Sequence, residues 1–359
     1  MSMHTFALTT GRINKFKGQI LKHAVPQETL ARTGRQVQMP KNNSDTYVAR
    51  RFLPYGAAST NSSTINQFFS NSSNTNRDVT MVNAHLTSEG VTPTPDSITP
   101  QDVTVVVQQY SCLYGFTDKT YDLYEDDIPQ AMIEQIGDRV TLVNEMIIYG
   151  ALRACTNVYY GGTGSGVTSV NGKISLNLLR RIAKNLMANH AGMVTSQLKA
   201  GANFGTDAVA GGFIVYCHTD LESDIRDIPG FTPVEKYATG TTMANEIGKV
   251  ERFRFITHPD LPSQQDAASS VTASTHGLYS TTGTNPDVYT AIVVAKDAYS
   301  QIAVRGKDSL KPTYLPPGQV SKSDPFGQRG YAGTIWWKAV MIENNGWMAT
   351  ALVGAGSLT

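Results

Sequence analysis

The sequence predicts an α+β protein, and three observations carry that prediction. The stretch DIPQAMIEQIGDRVTLVNEMIIYGALRACT, residues 127–156, repeats its apolar residues with a helical period. Apolar runs of strand length stand apart from it, at 211–217, 250–257 and 288–295. Ahead of it runs a polar excursion that starts in an Asn/Ser/Thr tract at 56–78. It ends in the strand-like VTVVVQQY at 103–110, with no helical period between.

The long helix is the clearest element. Pro129 falls in its first turn behind Glu125, Asp126 and Asp127, acids that suit the positive end of the helix dipole. Ile128, Met132, Ile136, Val140, Val143, Ile147, Ala151 and Cys155 follow at spacings of four and three, one continuous stripe. At 1.5 Å per residue the rod is roughly 45 Å long, so it is expected to act as an axle on which other elements pack. Gly137 and Gly150 each cost about 1 kcal/mol relative to Ala in such a helix, and close approach of another element would explain them.

A second helix is predicted at 176–190, with Ser175 as N-cap and Gly192 as terminator. Strands are read at GGFIVYC (211–217), VERFRFIT (250–257) and VYTAIVVA (288–295). Near the C-terminus, TIWWKAVMIE (334–343) and WMATALV (347–353) flank Asn345-Gly346, a two-residue hairpin signal. VTMVNAHL (79–86) and VTVVVQQY (103–110) read as strands on either side of a segment broken by Pro93, Pro95 and Pro100. No internal repeat is evident.

Of 359 residues only 16% are charged, against ~25% in typical globular proteins, which points to surface buried against partners. The net charge of +1 argues against a uniformly basic nucleic-acid binder, but its distribution is uneven. Residues 1–51 hold nine bases against Glu28 and Asp45, net +7. Residues 115–145 hold eight acids against Lys119 and Arg139, net −6, so the two segments are able to pair within or between subunits. Cys112, Cys155 and Cys217 form no CxxC pair, which fits a reducing compartment. The N-terminus lacks the apolar core of a secretory signal, and no apolar run approaches the ~18 residues of a membrane span. Folding in a cytoplasm, with no membrane partner, is the expectation.

Catalytic signatures are missing. In the Gly-rich loop 161–173, Gly172-Lys173 lacks the phosphate-loop frame: Val167 stands where the first glycine belongs, and Ile174 where Ser or Thr belongs. His218-Thr219-Asp220 and His258-Pro259-Asp260 each follow a strand, where two His and two carboxylates could ligate a metal; strand ends are equally where turn-forming Asp and Pro belong. No GxSxG, HExxH or catalytic cysteine context occurs. The expectation is a non-enzyme with no catalytic residue, metal or cofactor.

The order of elements is more specific than any single one. The basic segment, the excursion returning through SEG…P…V.VVV.QY, and FTDKTYDLYEDDIPQAMIEQIGDRVTLVNEMIIYGAL together resemble tailed-bacteriophage major capsid proteins. More narrowly, they are similar to the family of the phage N4 major capsid protein. The likeness continues through GFIVYCHTDLESDIRDIPGF, EIGKVERFRFITHPDL and DPFGQRGYAGTIWWKAVMIENNGWM, over roughly residues 46–353.

The resemblance implies an HK97-like capsid fold: an N-terminal arm at 1–46, an extended E-loop hairpin at 47–115 and a peripheral domain with a spine helix at 116–160. An axial domain would span 161–305, and at 306–359 a loop and C-terminal hairpin would return to the peripheral domain. It also implies a self-assembling virion protein that builds hexamers and pentamers of an icosahedral head. The implied partners are a portal, scaffold or cement proteins, and packaged double-stranded DNA held without sequence preference. Arg12, Lys15, Lys17, Lys22, Arg32 and Arg35 would make the arm face DNA or a neighbouring subunit. Val103, Val105 and Val107 would supply the apolar interface of the E-loop. A two-stranded ribbon alone is marginal in water, and ordering ~60 residues costs tens of kcal/mol, so such a loop gains its order by lying on another chain. Alternatives are a nanocompartment shell of the same fold, a β-rich adhesin, and a metal hydrolase using His218, Asp220, His258 and Asp260.

Overall fold

The computed structural model describes residues 28–40, 42, 44–52, 85–92, 98, 100–123, 128–198, 206–237, 242–304, 313–320 and 322–358. A 3-10 turn at Leu30–Arg32 leads into strands β1 (Arg35–Met39), β2 (Thr46–Phe52), β3 (Pro100–Val106) and β4 (Gln108–Thr117). Helices α1 (Asp118–Leu123) and α2 (Ile128–Arg153) follow, then β5 (Val158–Tyr160) and α3 (Leu176–Ala188). The next strands are β6 (Val194–Leu198), β7 (Thr206–His218), β8 (Thr232–Pro233), β9 (Glu246–Val250) and β10 (Phe253–His258). The chain closes with β11 (Val288–Val294), β12 (Tyr299–Val304), β13 (Thr313–Leu315), β14 (Arg329–Ile342) and β15 (Met348–Gly354).

These strands make three sheets. One has the order β1-β12-β14-β13 with β4 also on β14, one has the order β5-β15-β11-β7-β10-β9-β8 with β6 on β7, and β2-β3 stand as a separate ribbon. In the larger sheet every residue of β11 is buried, the burial expected of an unbroken apolar run with both faces covered. Leu179, Ile182 and Leu186 of α3 cover one face, against Val215, Phe253 and Val353. Ile148 and Leu152 of α2, with Leu30, cover the other face, against Tyr216, Ile256 and Ile292. The first half of α2 packs instead on the smaller sheet, Ile136 and Val140 against Cys112, Ala332 and Trp336. The indole of Trp336 donates to Asn144 Oδ1 at 3.0 Å. The helix is thus an axle joining two sheets.

Several local expectations are revised. The α2 stripe turns in its second half: Ile148 and Leu152 are fully buried while Ile147 and Ala151 are half-buried, because the helix passes from one sheet to the other. Among the described residues a Cβ at Gly137 or Gly150 would meet nothing within 4 Å, so no described element explains them. Ser175 does cap α3, its Oγ accepting from Leu178 N, but His190, at φ +54, takes the left-handed position expected two residues later at Gly192. Residues 250–257 are not one strand. They turn at Glu251 (φ +50) and Arg252, pairing Val250 with Phe253 across an antiparallel hairpin.

Asn345-Gly346 closes no hairpin either. β14 already pairs with β4 along Arg329–Lys338 and with β12 along Ala339–Ile342, and β15 crosses into the larger sheet between β5 and β11. The last strand therefore does not return beside β14. Asn344 Oδ1 accepts Gly346 N at 2.9 Å and makes the crossing turn.

Candidate inter-subunit surface

The root of the excursion is the β2-β3 ribbon. Its antiparallel register pairs Thr46 with Val106, Val48 with Thr104, Arg50 with Asp102 and Phe52 with Pro100. Alternation along both strands gives it two faces. Val103 and Val105, with Tyr47 and Ala49, turn inward onto a cluster of Met39, Ile302, Ala339 and Met341, and Val107 is 4% exposed within that cluster. The three valines expected to meet a neighbour are therefore packed in their own chain. The opposite face is the free one, with Val48 51%, Phe52 64% and Val106 45% exposed. The strand expected at 79–86 lies mostly outside the described residues, as do Pro93 and Pro95.

Arg51 ties the inner face down. Its guanidinium donates to Glu343 O at 2.7 Å and to Gln101 Oε1 at 3.0 and 2.8 Å, and burial lowers its pKa from the usual arginine value. On the outer face Arg50 makes a two-pronged pair with Asp102 at 2.7 and 2.9 Å, and that hydrogen bonding lowers the Asp102 pKa. Between ribbon and body lies a cleft of about 450 Å³ lined by Arg35, Tyr47, Arg51, Phe52, His190 and Trp347.

Arg12, Lys15, Lys17 and Lys22 lie outside the described residues. The described part of the expected arm from Thr29 to Met39 is docked. β1 pairs in parallel with β12, and the turn before it sits on the long helix. Glu145 Oε1 accepts Thr29 N at 3.1 Å and Ala31 N at 3.2 Å, and Oε2 accepts Leu30 N at 3.1 Å. Tyr299 donates to Leu30 O, and Thr33 Oγ1 lies 2.6 Å from the Tyr216 hydroxyl. Glu145 is 1% exposed, and burial raises its pKa although those backbone hydrogen bonds oppose the shift. Basic and acidic segments do meet within one subunit, but through main-chain amides on one carboxylate. Arg32 donates to Glu28 O at 2.9 Å, and Arg35 lies 3.6 Å from Glu343, so both belong to the docked root. Sequence reasoning passed over Glu145; the signal was a charge three residues before Ile148, on the buried side of the helix.

The remaining motifs are turns. β7 and β10 pair in parallel with His218 beside His258, and each Nδ1 accepts the backbone N–H two residues on, at 3.1 Å. In the Gly-rich loop Asn171 Oδ1 accepts Thr163 N at 2.9 Å, and Gly162 (φ +77) lies against Gly172. All three cysteines are buried thiols whose pKa values burial raises. Among the described residues no helix is long and apolar enough to cross a membrane.

Compared with solved structures, the chain is similar to the capsid of Ralstonia phage GP4, with a TM-score of 0.62 and 9% identity over 100% of both chains. It is also similar to the head of Helicobacter pylori bacteriophage KHP40, with a TM-score of 0.59 and 9% identity over 96% of each chain. At such identity these likenesses establish the fold, the HK97-like capsid fold in its α+β form. The sequence supplies a nearer relative: over 259 residues it is 22% identical to the major capsid protein of Pseudomonas phage KPP21, across 68% of this chain. The chain spans 65% of that relative's length. Fold and relative point the same way: the solved structures it resembles are phage capsids and heads, and the sequence relative is a phage major capsid protein. No family model matches the sequence, and nothing supports the narrower N4 placement.

Proposed function

We propose that this protein assembles with copies of itself into the icosahedral head of a tailed bacteriophage, as hexamers and pentamers, and that the head encloses double-stranded DNA. The ribbon carries the reading. Its inner face is fixed to the body while Val48, Phe52 and Val106 stay exposed outside. Exposed apolar strand faces mark association surfaces, and the chain extends from this root through residues 53–99. In this reading the excursion within 47–115 overlaps a neighbour, 116–160 carries the spine, and 161–305 forms most of the axial domain. Residues 1–27, which include Arg12, Lys15, Lys17 and Lys22, reach a neighbouring acidic surface or the DNA. A wall that held phosphate tightly would slow packaging and release, which favours the neighbour. A portal, scaffold or cement proteins are the further partners, and assembly takes place in the host cytoplasm.

The test replaces residues 54–97 with a short Gly/Ser linker, leaving both ribbon strands in place. The expected product folds, with unchanged circular dichroism, but forms no shells by sedimentation. Normal shells from this variant would remove the ribbon from the assembly mechanism.

A further inference from the structure

The two ends of the smaller sheet carry opposite charge. At one end the described residues Arg32, Arg35, Arg50 and Arg51 stand against Asp45, net +3, and at the other Asp118 and Asp122 stand against Lys119, net −1. Within one chain the two ends cannot meet. The ribbon root joins β4 at Gln108 and α1 leaves it at Thr117, so ten residues at ~3.3 Å each put about 30 Å between them. The antiparallel register confirms the polarity: Lys338 lies beside Gln108, and Arg329 beside Thr117.

Both ends are also unfinished. At the basic end the cleft beside the ribbon opens between Arg35, Phe52 and Trp347. The side chains of Arg35 and Arg50 are 60% and 63% exposed, and each guanidinium has more donors than its carboxylate partner among the described residues uses. At the acidic end α1 presents Tyr121 at 50% and Leu123 at 61% exposure, apolar side chains beside the carboxylates of Asp118 and Asp122.

We propose that α1 of one copy docks in the ribbon cleft of the next, with Leu123 entering the cleft and Asp122 meeting Arg35. The proposal rests on the capsid reading and names the contact that links neighbours. Apolar anchors seated in a pocket with a charged rim are the usual centre of a protein interface. Because the two surfaces differ and lie at opposite ends, the contact is heterologous. It repeats head to tail, and a suitable rotation closes it into a ring.

Charge exchange tests it. Arg35→Glu and Asp122→Arg, each at an exposed position, should leave the fold intact by circular dichroism, the first losing no more than its pair with Glu343, and lower the yield of shells about tenfold. The double variant R35E/D122R should recover most of that yield. A second arm uses R35C/D122C in assembled particles, where mild oxidation should give a ladder of covalent multimers that neither single variant gives. Shells formed normally by both charge variants, or an oxidised double variant that stays monomeric within intact shells, would overturn the contact while leaving the capsid reading standing. Failure of the unaltered chain to give any ring or shell would overturn the capsid reading and this contact with it.

Discussion

Replacing Glu145 with Ala should detach the root of the N-terminal segment from the long helix, and the structure sets the size of the effect. The carboxylate accepts three backbone N–H groups, and two of their residues, Thr29 and Leu30, are 2% and 0% exposed. A buried donor left without a partner costs about 1–3 kcal/mol, so two of them cost about 2–6 kcal/mol. Removing a desolvated charge offsets part of this, leaving a net loss of about 2–4 kcal/mol. That is a large share of the ~5–15 kcal/mol stability of a typical domain. The pH dependence has a definite sign. Burial raises the Glu145 pKa above its ordinary value of 4.5, so the folded state holds that proton more tightly than the unfolded state. Its contribution is full below the ordinary glutamate range and is lost as pH rises through the raised value. The advantage of the natural protein over Glu145→Gln should therefore be larger at pH 4 than at pH 7. Denaturant titration of unassembled protein, with hydrogen exchange at residues 29–31, measures both effects. An Ala variant with an unchanged midpoint and protected amides would refute the clasp.

The faces of the ribbon make a paired prediction: Val107→Ala should cost about 2 kcal/mol of stability, Val106→Ala less than about 0.5 kcal/mol, and calorimetry reads both. If only Val106→Ala destabilises, the inward and outward faces have been exchanged. Gly330→Ala drives a Cβ into the buried ring of Phe116, which stacks on Tyr314 with centroids 6.0 Å apart, and should destabilise by about 1–3 kcal/mol on the same scan. Neutralising Arg12, Lys15, Lys17 and Lys22 to Gln should weaken assembly most at low salt; light scattering that shows the same assembly at every salt concentration would detach the basic segment from shell building.

The parts legible in the sequence are those whose burial follows a single period. The spine stripe from Met132 to Val140, the α3 pattern and the unbroken run of β11 each face one environment along their length, so spacing alone locates them. Where the environment changes midway, the pattern misleads. α2 passes from one sheet to another, which moves the buried register from Ile147 to Ile148 and hides Glu145 among polar surface residues. The turn at Glu251-Arg252 holds neither Gly, Asn nor Pro, so an apolar run continued through it. Asn345-Gly346 does turn, but pairing in a sheet is decided by which edges are already occupied, and local sequence does not record that. Alternation marks Val103 and Val105 of β3 as one apolar face. Which side that face meets depends on β12 and β14, some 200 residues downstream.

Electron microscopy of the purified chain tests the central claim most directly. Closed shells are expected, in whose reconstruction Val48, Phe52 and Val106 of every copy are covered by a neighbour. A monodisperse 38.9 kDa species, folded and with that ribbon face in solvent under all assembly conditions, would contradict it.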